Sequence, residues 1–284
     1  MRKYSCEILL KQEGSLEALI QRCLKATGFT PRYTDVFFDQ FTKGKYDVGY
    51  GEASLLKLMA KEEPPERFKL KDRLYEEGGF VNWFSFRCNN TATTLGCTWK
   101  LEWSNTSLEV LLENPLWKEL LADERLIWAV CFDERDAMEQ ANTHFIEYDD
   151  KPLPAGVKVI KNEVGDKIID VSKHWGRFAI ARELSFIAAP LLWIGEPFFA
   201  VIDKKKWLDF KYASETELGG QKRILVQLFP PEANPADYRD RQKDFWSHFK
   251  LEKVMREYKK ANEIDMIAWV QAQLEKKKAA KRKA

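Results

Sequence analysis

The side chains best suited to chemistry in this sequence are few and widely spaced. Its three histidines are His144, His174 and His248. A catalytic zinc draws on three protein ligands brought close together. His144 and Glu147 stand three residues apart, but no second histidine is near them in sequence. His144 or His174 beside a carboxylate could instead act as the general base of a hydrolase, provided that folding gathers the groups. Carboxylate pairs such as Asp133-Glu134 and Asp149-Asp150 could divide acid from base work only where their surroundings separate their proton affinities.

Gly49-Tyr50-Gly51-Glu52-Ala53-Ser54 half-matches the phosphate-cradling loop of dinucleotide sites, and Asp72 follows at about the right distance. Ser54 replaces the third glycine, and Pro64-Pro65 interrupts the strand that the motif requires, so a strand-to-helix turn is the expected role. There is no Walker loop, no G-x-S-x-G elbow, and no S-x-x-K accompanied by its partner motifs. The residues call for no cofactor and no metal. The five cysteines, Cys6, Cys23, Cys88, Cys97 and Cys131, are odd in number and lack C-x-x-C spacing. Four of them sit among apolar neighbours and read as small core residues in a reducing cytoplasm.

The elements that must position these groups follow from periodicity. Residues 3–10, Asp35–Phe41, Phe80–Arg87, Leu95–Trp103 and Leu126–Phe132 read as strands, with Ser107–Leu112 as the second arm of a hairpin. Helices are expected over Ser15–Ala26, Ala53–Lys61, from Asn114-Pro115 to Ala122, and from Asp133 to Ala141. Beyond the polar stretch Asp149–Gly156, strands are expected at Val157–Ile160, Lys167–Val171, within Ala179–Trp193, at Phe198–Ile202 and at Arg223–Phe229. A short helix over Lys204–Phe210 and a long helical pattern over Pro235–Lys276, with a break near Asn262, complete the chain. The fold class is therefore α+β, with mostly antiparallel sheet, peripheral helices and a long C-terminal helical segment. The Pro- and Gly-bearing stretch at 149–156 marks a boundary between halves 1–150 and 151–284, unless one domain runs through both.

Composition narrows the function classes. The 284 residues are 45% hydrophobic and 32% charged, an ordinary globular balance that excludes disordered, collagenous and coiled-coil chains. The net charge of +2, from 46 basic and 44 acidic residues, is small for a nucleic-acid binder. The basic tail from Lys276 to Lys283 reads as a solvated helix end. Phe186–Ile202 is the most apolar stretch, but Pro190, Gly195, Glu196 and Pro197 break it, so no membrane span is expected. The N-terminus lacks the apolar run of a signal peptide, and a cytoplasmic protein is expected.

The segment Asp170–Ala213 carries a recognisable pattern. It contains Gly176-Arg177, then Leu192-Trp193 with Gly195, then Phe198-Phe199. In these steps it resembles the bacterial Imm52-like immunity proteins, with Leu192 where that family has Met and His174-Trp175 where it has Asn-Pro. The resemblance implies a cytoplasmic protein, not an enzyme, that binds and neutralises a cognate toxin, including effectors of type VI secretion. Such a protein needs one complementary surface rather than a catalytic set. Two segments have suitable makeup. The acidic loop Glu147-Tyr148-Asp149-Asp150 flanks an aromatic ring with carboxylates, and Trp175 with Arg177 offers an aromatic–cation anchor in an expected loop. The alternative is a hydrolase-like enzyme with a dispersed site drawn from His144, His174 and nearby carboxylates.

Overall fold

Strict alternation makes the strands. In Thr98-Trp99-Lys100-Leu101-Glu102-Trp103 and in Arg67-Phe68-Lys69-Leu70-Lys71, every second residue is apolar, so each strand has one face to bury. The computed structural model describes residues 2–27, 29–38, 44–59, 67–77, 82–89, 98–105, 107–143, 157–162, 165–181 and 184–261. In chain order the first half holds β1 (Tyr4–Lys11), α1 (Leu16–Thr27), β2 (Tyr33–Phe37), β3 (Gly44–Gly49), α2 (Glu52–Met59), β4 (Arg67–Lys71), β5 (Trp83–Asn89) and β6 (Thr98–Asn105). Next come α3 (Leu108–Leu112), α4 (Pro115–Ala122), β7 (Leu126–Asp133) and α5 (Glu134–Ala141). The second half holds β8 (Val159–Lys161), β9 (Lys167–Ile169), β10 (Phe178–Ala181), β11 (Leu184–Ile187), β12 (Leu191–Ile194), α6 (Lys204–Leu208), β13 (Ala213–Leu218), β14 (Gln221–Gln227), α7 (Arg239–Phe249) and α8 (Leu251–Ala261).

Ten strands form one sheet in the order β13-β14-β12-β7-β1-β6-β5-β4-β2-β3. Every pairing in it is antiparallel. The fold is α+β, with helices on both sides of a large antiparallel sheet. The sheet crosses the 150/151 boundary, because β12 pairs with β7 through Trp193 opposite Ala129. Two small ladders, β8 with β9 and β10 with β11, lie outside it.

The core is double. On one face, Cys6, Ile8, Leu10, Phe84, Phe86, Trp99, Leu101 and Trp103 pack with residues of α1, α3 and α4. On the other, Leu9, Trp128, Val130, Leu192 and Ile194 pack with Trp207, Phe245, Trp246 and Phe249 of α6 and α7. The central strands β1, β7 and β12 thus contribute apolar residues to both faces. Toward β4 and β2 only the first face is apolar. Most tryptophans belong to these cores, as their aliphatic surroundings suggest. Cys6, Cys23 and Cys131 are free and buried, and burial pushes the Cys23 thiol up to about 12.

Three expected elements differ. Ser107–Leu112 is not a strand: the Ser107 hydroxyl accepts from the Val110 N–H at 3.2 Å and starts α3, which buries Leu108 and Leu111 one turn apart. Phe198–Ile202 is not a strand either. Residues Glu196–Ala200 form a 3-10 turn, since Pro197 removes a ladder donor and the turn sends both Phe198 and Ile202 into the same core. The long C-terminal helix is two helices among the described residues, broken at Lys250, whose φ of 53° is left-handed. Asn262, where a break was expected, lies outside the described residues.

Candidate functional site

The first face of β1, β6, β5 and β4 is paid over to packing, and the alternate residues are left to build the opposite face. The antiparallel register aligns them in rows. Glu7 of β1 lies opposite Glu102 of β6, Glu102 opposite Ser85 of β5, Ser85 opposite Lys69 of β4, and Lys69 opposite Asp35 of β2. The next row runs Leu9, Lys100, Arg87, Arg67, Phe37, and the row on the other side runs Ser5, Ser104, Trp83, Lys71, Tyr33. Like charges directly opposite, such as Glu7 and Glu102, repel unless something bridges them.

Lys100 is the bridge. Its ammonium lies 2.9 Å from Glu7 Oε2 and 2.9 Å from Glu102 Oε1. Arg67 approaches Glu102 Oε2 at 3.5 Å and donates from Nε to Ser85 Oγ at 3.0 Å. Lys69 stands over the Trp83 ring, 4.3 Å from its centre, and Arg67 lies 5.4 Å from the centre of Phe37. At one end, Lys3 pairs with Glu134 at 3.1 Å, and Glu134 Oε1 accepts from the hydroxyls of Ser5 and of Ser104. At the other, Lys71, only 2% exposed, pairs with Asp35 at 2.8 Å and with Asp47.

The electrostatics of the two central carboxylates diverge. Burial raises the proton affinity of Glu7 above the ordinary value, against the opposing pull of Lys100. Burial acts on Glu102 too, but the charge and hydrogen bond of Lys100, with help from Arg67 and Lys69, outweigh it and hold Glu102 below its ordinary value. Lys69 is shifted down, by burial first and then by Arg67. The face is therefore a strip of fixed charges of both signs with aromatic rings along it. Arg67 and Lys69 are among its partly exposed members, while Glu7, Ser85, Asp35 and Lys71 are buried in it, and it sets a carboxyl group of raised proton affinity beside one of lowered affinity.

Of the residues singled out from sequence, those that are described fall elsewhere. His144, Glu147, Tyr148, Asp149 and Asp150 lie outside the described residues. Trp175 is half-buried, edge-on to Trp246 with ring centres 6.2 Å apart. Arg177, expected in an exposed loop, is 6% exposed. Its guanidinium stacks 3.8 Å from the Trp246 ring centre, donates to the His174 carbonyl at 2.9 Å and pairs with Glu252. Burial lowers its proton affinity, with Glu252 opposing. Arg177 is a clamp inside the second core, because α7 and α8 close over the segment that carries it.

The other motif residues of that segment also pack. A Cβ on Gly176 would meet Arg239 Nη1 at 2.8 Å, and one on Gly195 would overlap the Leu126 carbonyl. Trp193 meets Trp117 edge-on at 5.7 Å, and Phe198 meets Trp207 at 5.6 Å. His248 Nε2 lies 2.7 Å from the Lys206 carbonyl, among Phe210 and Phe249. Asp72 accepts from Asn82, and Gly49-Tyr50-Gly51 joins antiparallel β3 to α2 as a turn. Among the described residues, no group of three or more His, Cys, Asp or Glu could hold a metal ion, and no helix is long and apolar enough to cross a membrane.

Sequence reasoning missed the charged strip. Its signal was present in the alternation of Arg67-Phe68-Lys69-Leu70-Lys71 and Lys100-Leu101-Glu102. Of these two segments only the second, within Leu95–Trp103, is expected as a strand from periodicity; Arg67–Lys71 is a strand that the sequence reading does not include. A scan against protein-family models gives no match to this chain, and neither does a search of curated proteins or of solved structures.

Proposed function

We propose that this chain is a non-enzymatic immunity protein that binds a cognate bacterial toxin in the cytoplasm and covers the toxin's active site with the partly exposed part of the charged face, at Arg67 and Lys69. The observation that carries the reading is the strip itself. Arg67, Lys69, Lys100 and Glu102 are held by one another and by Trp83 and Phe37 before any partner arrives. Prepaid ordering of charged and aromatic side chains is what fast, specific protein recognition needs, and Arg and Trp dominate binding energy at interfaces. The resemblance of Gly176-Arg177, Leu192-Trp193 and Phe198-Phe199 to immunity proteins supports the same class, although in this chain those residues build the core.

The test is rescue. The protein encoded beside this one is expressed in a sensitive host with and without the chain, and viable cells are counted. Rescue with a stable complex on gel filtration, both weakened at least tenfold by Arg67→Glu with Lys69→Glu, is the expected result. A toxic neighbour that the chain neither binds nor rescues would sink the reading.

One observation favours the enzymatic alternative. Glu7 and Glu102 have proton affinities moved in opposite directions, as an acid–base pair requires. Lys100 closes the gap between them, and this ranks the reading second.

A further inference from the structure

At the far end of the sheet a second surface has the makeup of a binding groove, and it does not depend on the toxin-binding reading. Strand β3 ends the ten-stranded order, so its outer row of N–H and C=O groups faces away from every described strand. All six of its residues are exposed, Tyr46 at 64% and Val48 at 45%. An edge of this kind is a template for another strand.

The edge is shaped rather than frayed. The pairing of β2 with β3 shifts register between Thr34 and Val36, and Asp47 opposite this bulge has φ of 55°. Two groups pin Asp47: its N–H donates to Asp35 Oδ1 at 2.9 Å, and its carboxylate pairs with Lys71. The bulge sends Tyr46 to one side, edge-on to Phe37 at 5.3 Å. Lys45 and Val48 go to the other side, where they face α2 across a cavity of about 360 Å³. Val36, Val48, Leu55 and Leu58 form its apolar wall, and Thr34, Ser54, Lys45 and Lys57 its polar one. Among the described residues neither lysine is in an ion pair.

We infer that the groove between β3 and α2 binds an extended acidic–apolar segment of a partner protein, which adds to β3 as an eleventh strand. Main-chain hydrogen bonds to β3 supply the register, and the alternation of a strand sends every second side chain toward the cavity. The cavity takes one or two large apolar side chains. Flanking Asp or Glu residues of the segment meet Lys45 and Lys57, which select acidic strands over basic ones.

The full chain is used to select binders from a library of random octapeptides displayed on phage, and the enriched peptides are resynthesised with a fluorescent label. The expected consensus alternates apolar residues with Asp or Glu. Binding by polarisation should fall at least tenfold with Lys45→Glu combined with Lys57→Glu, and equally when alternate peptide nitrogens are N-methylated. Both lysines are at the surface, and unchanged thermal unfolding of the double variant shows that it remains folded. No enrichment, or enriched peptides indifferent to both changes, overturns the inference. So does a dimer of the chain that Val48→Asp dissolves, since the occupant would then be a second copy.

Discussion

Phe84 and Ser85 are neighbours in β5, and both are almost wholly buried, but different physics holds them. Phe84 stacks on Trp103 at 5.1 Å and meets Phe29 edge-on at 5.3 Å. That face is stabilised by area removed from water, about 2–3 kcal/mol for a ring of this size, and it is indifferent to pH. Ser85 accepts from Arg67 in a face where charges are buried against charges. There each ion loses hydration, and its partner recovers only part of the loss. One face specifies that the sheet forms. The other specifies which charges meet, and its contribution depends on protonation.

Substitutions on the two faces should separate these terms, and the largest effect belongs to the apolar side. Phe84→Ala should cost ~3–5 kcal/mol in urea unfolding, with the same loss at pH 4 and pH 7. Lys100→Met should cost about 2–3 kcal/mol near neutral pH, less than a fully buried pair because all three partners keep some exposure. Glu7 and Glu102 would then face each other without a bridge, so this loss should shrink as the pH falls below 4.5, the ordinary glutamate value. A pH-independent loss would mean that Lys100 acts by packing alone.

The carboxylates sharpen the contrast further, because their signs oppose. Glu102 has its folded proton affinity lowered, so its stabilisation is present above pH 4.5 and is lost as the pH falls through the depressed value. Glu102→Gln should therefore be destabilising by ~1 kcal/mol at neutral pH, and match the parent in acid. Glu7 is raised, so its burial becomes costly as the pH climbs from 4.5 through the raised value. Glu7→Gln should gain on the parent over that climb. Stability curves against pH that move in the same direction for both variants would refute the split. The smallest effect is expected for Arg67→Ala, about 0.5–1 kcal/mol, since its side chain is 36% exposed. A far larger effect of this variant on complex formation than on unfolding would assign Arg67 to recognition.

Much of the architecture was legible from local pattern. Asn114-Pro115 and Asp133 start helices because their side chains accept from Leu116 and from Arg135 and Asp136, and residues 126–132 read as a strand because an apolar run of that length buries on both faces. The errors came where a local signal had two solutions. Leu108 and Leu111 suit a strand or a helix turn until the Ser107 cap decides. Pro235–Lys276 reads as a helical pattern with no break before Asn262 until Lys250 turns left-handed.

The sequence by itself determined the α+β class, many element positions, and the alternation that gives β5 and β6 one apolar and one polar side, since backbone periodicity and side-chain hydrophobicity are local properties. Only the tertiary structure decided that Glu7, Glu102, Ser85, Lys69 and Asp35 share a row, that Lys100 bridges two carboxylates, and that Arg177 is an interior clamp. Those facts depend on strand register and on which helix closes over which face, and both are settled by contacts between residues far apart in the chain.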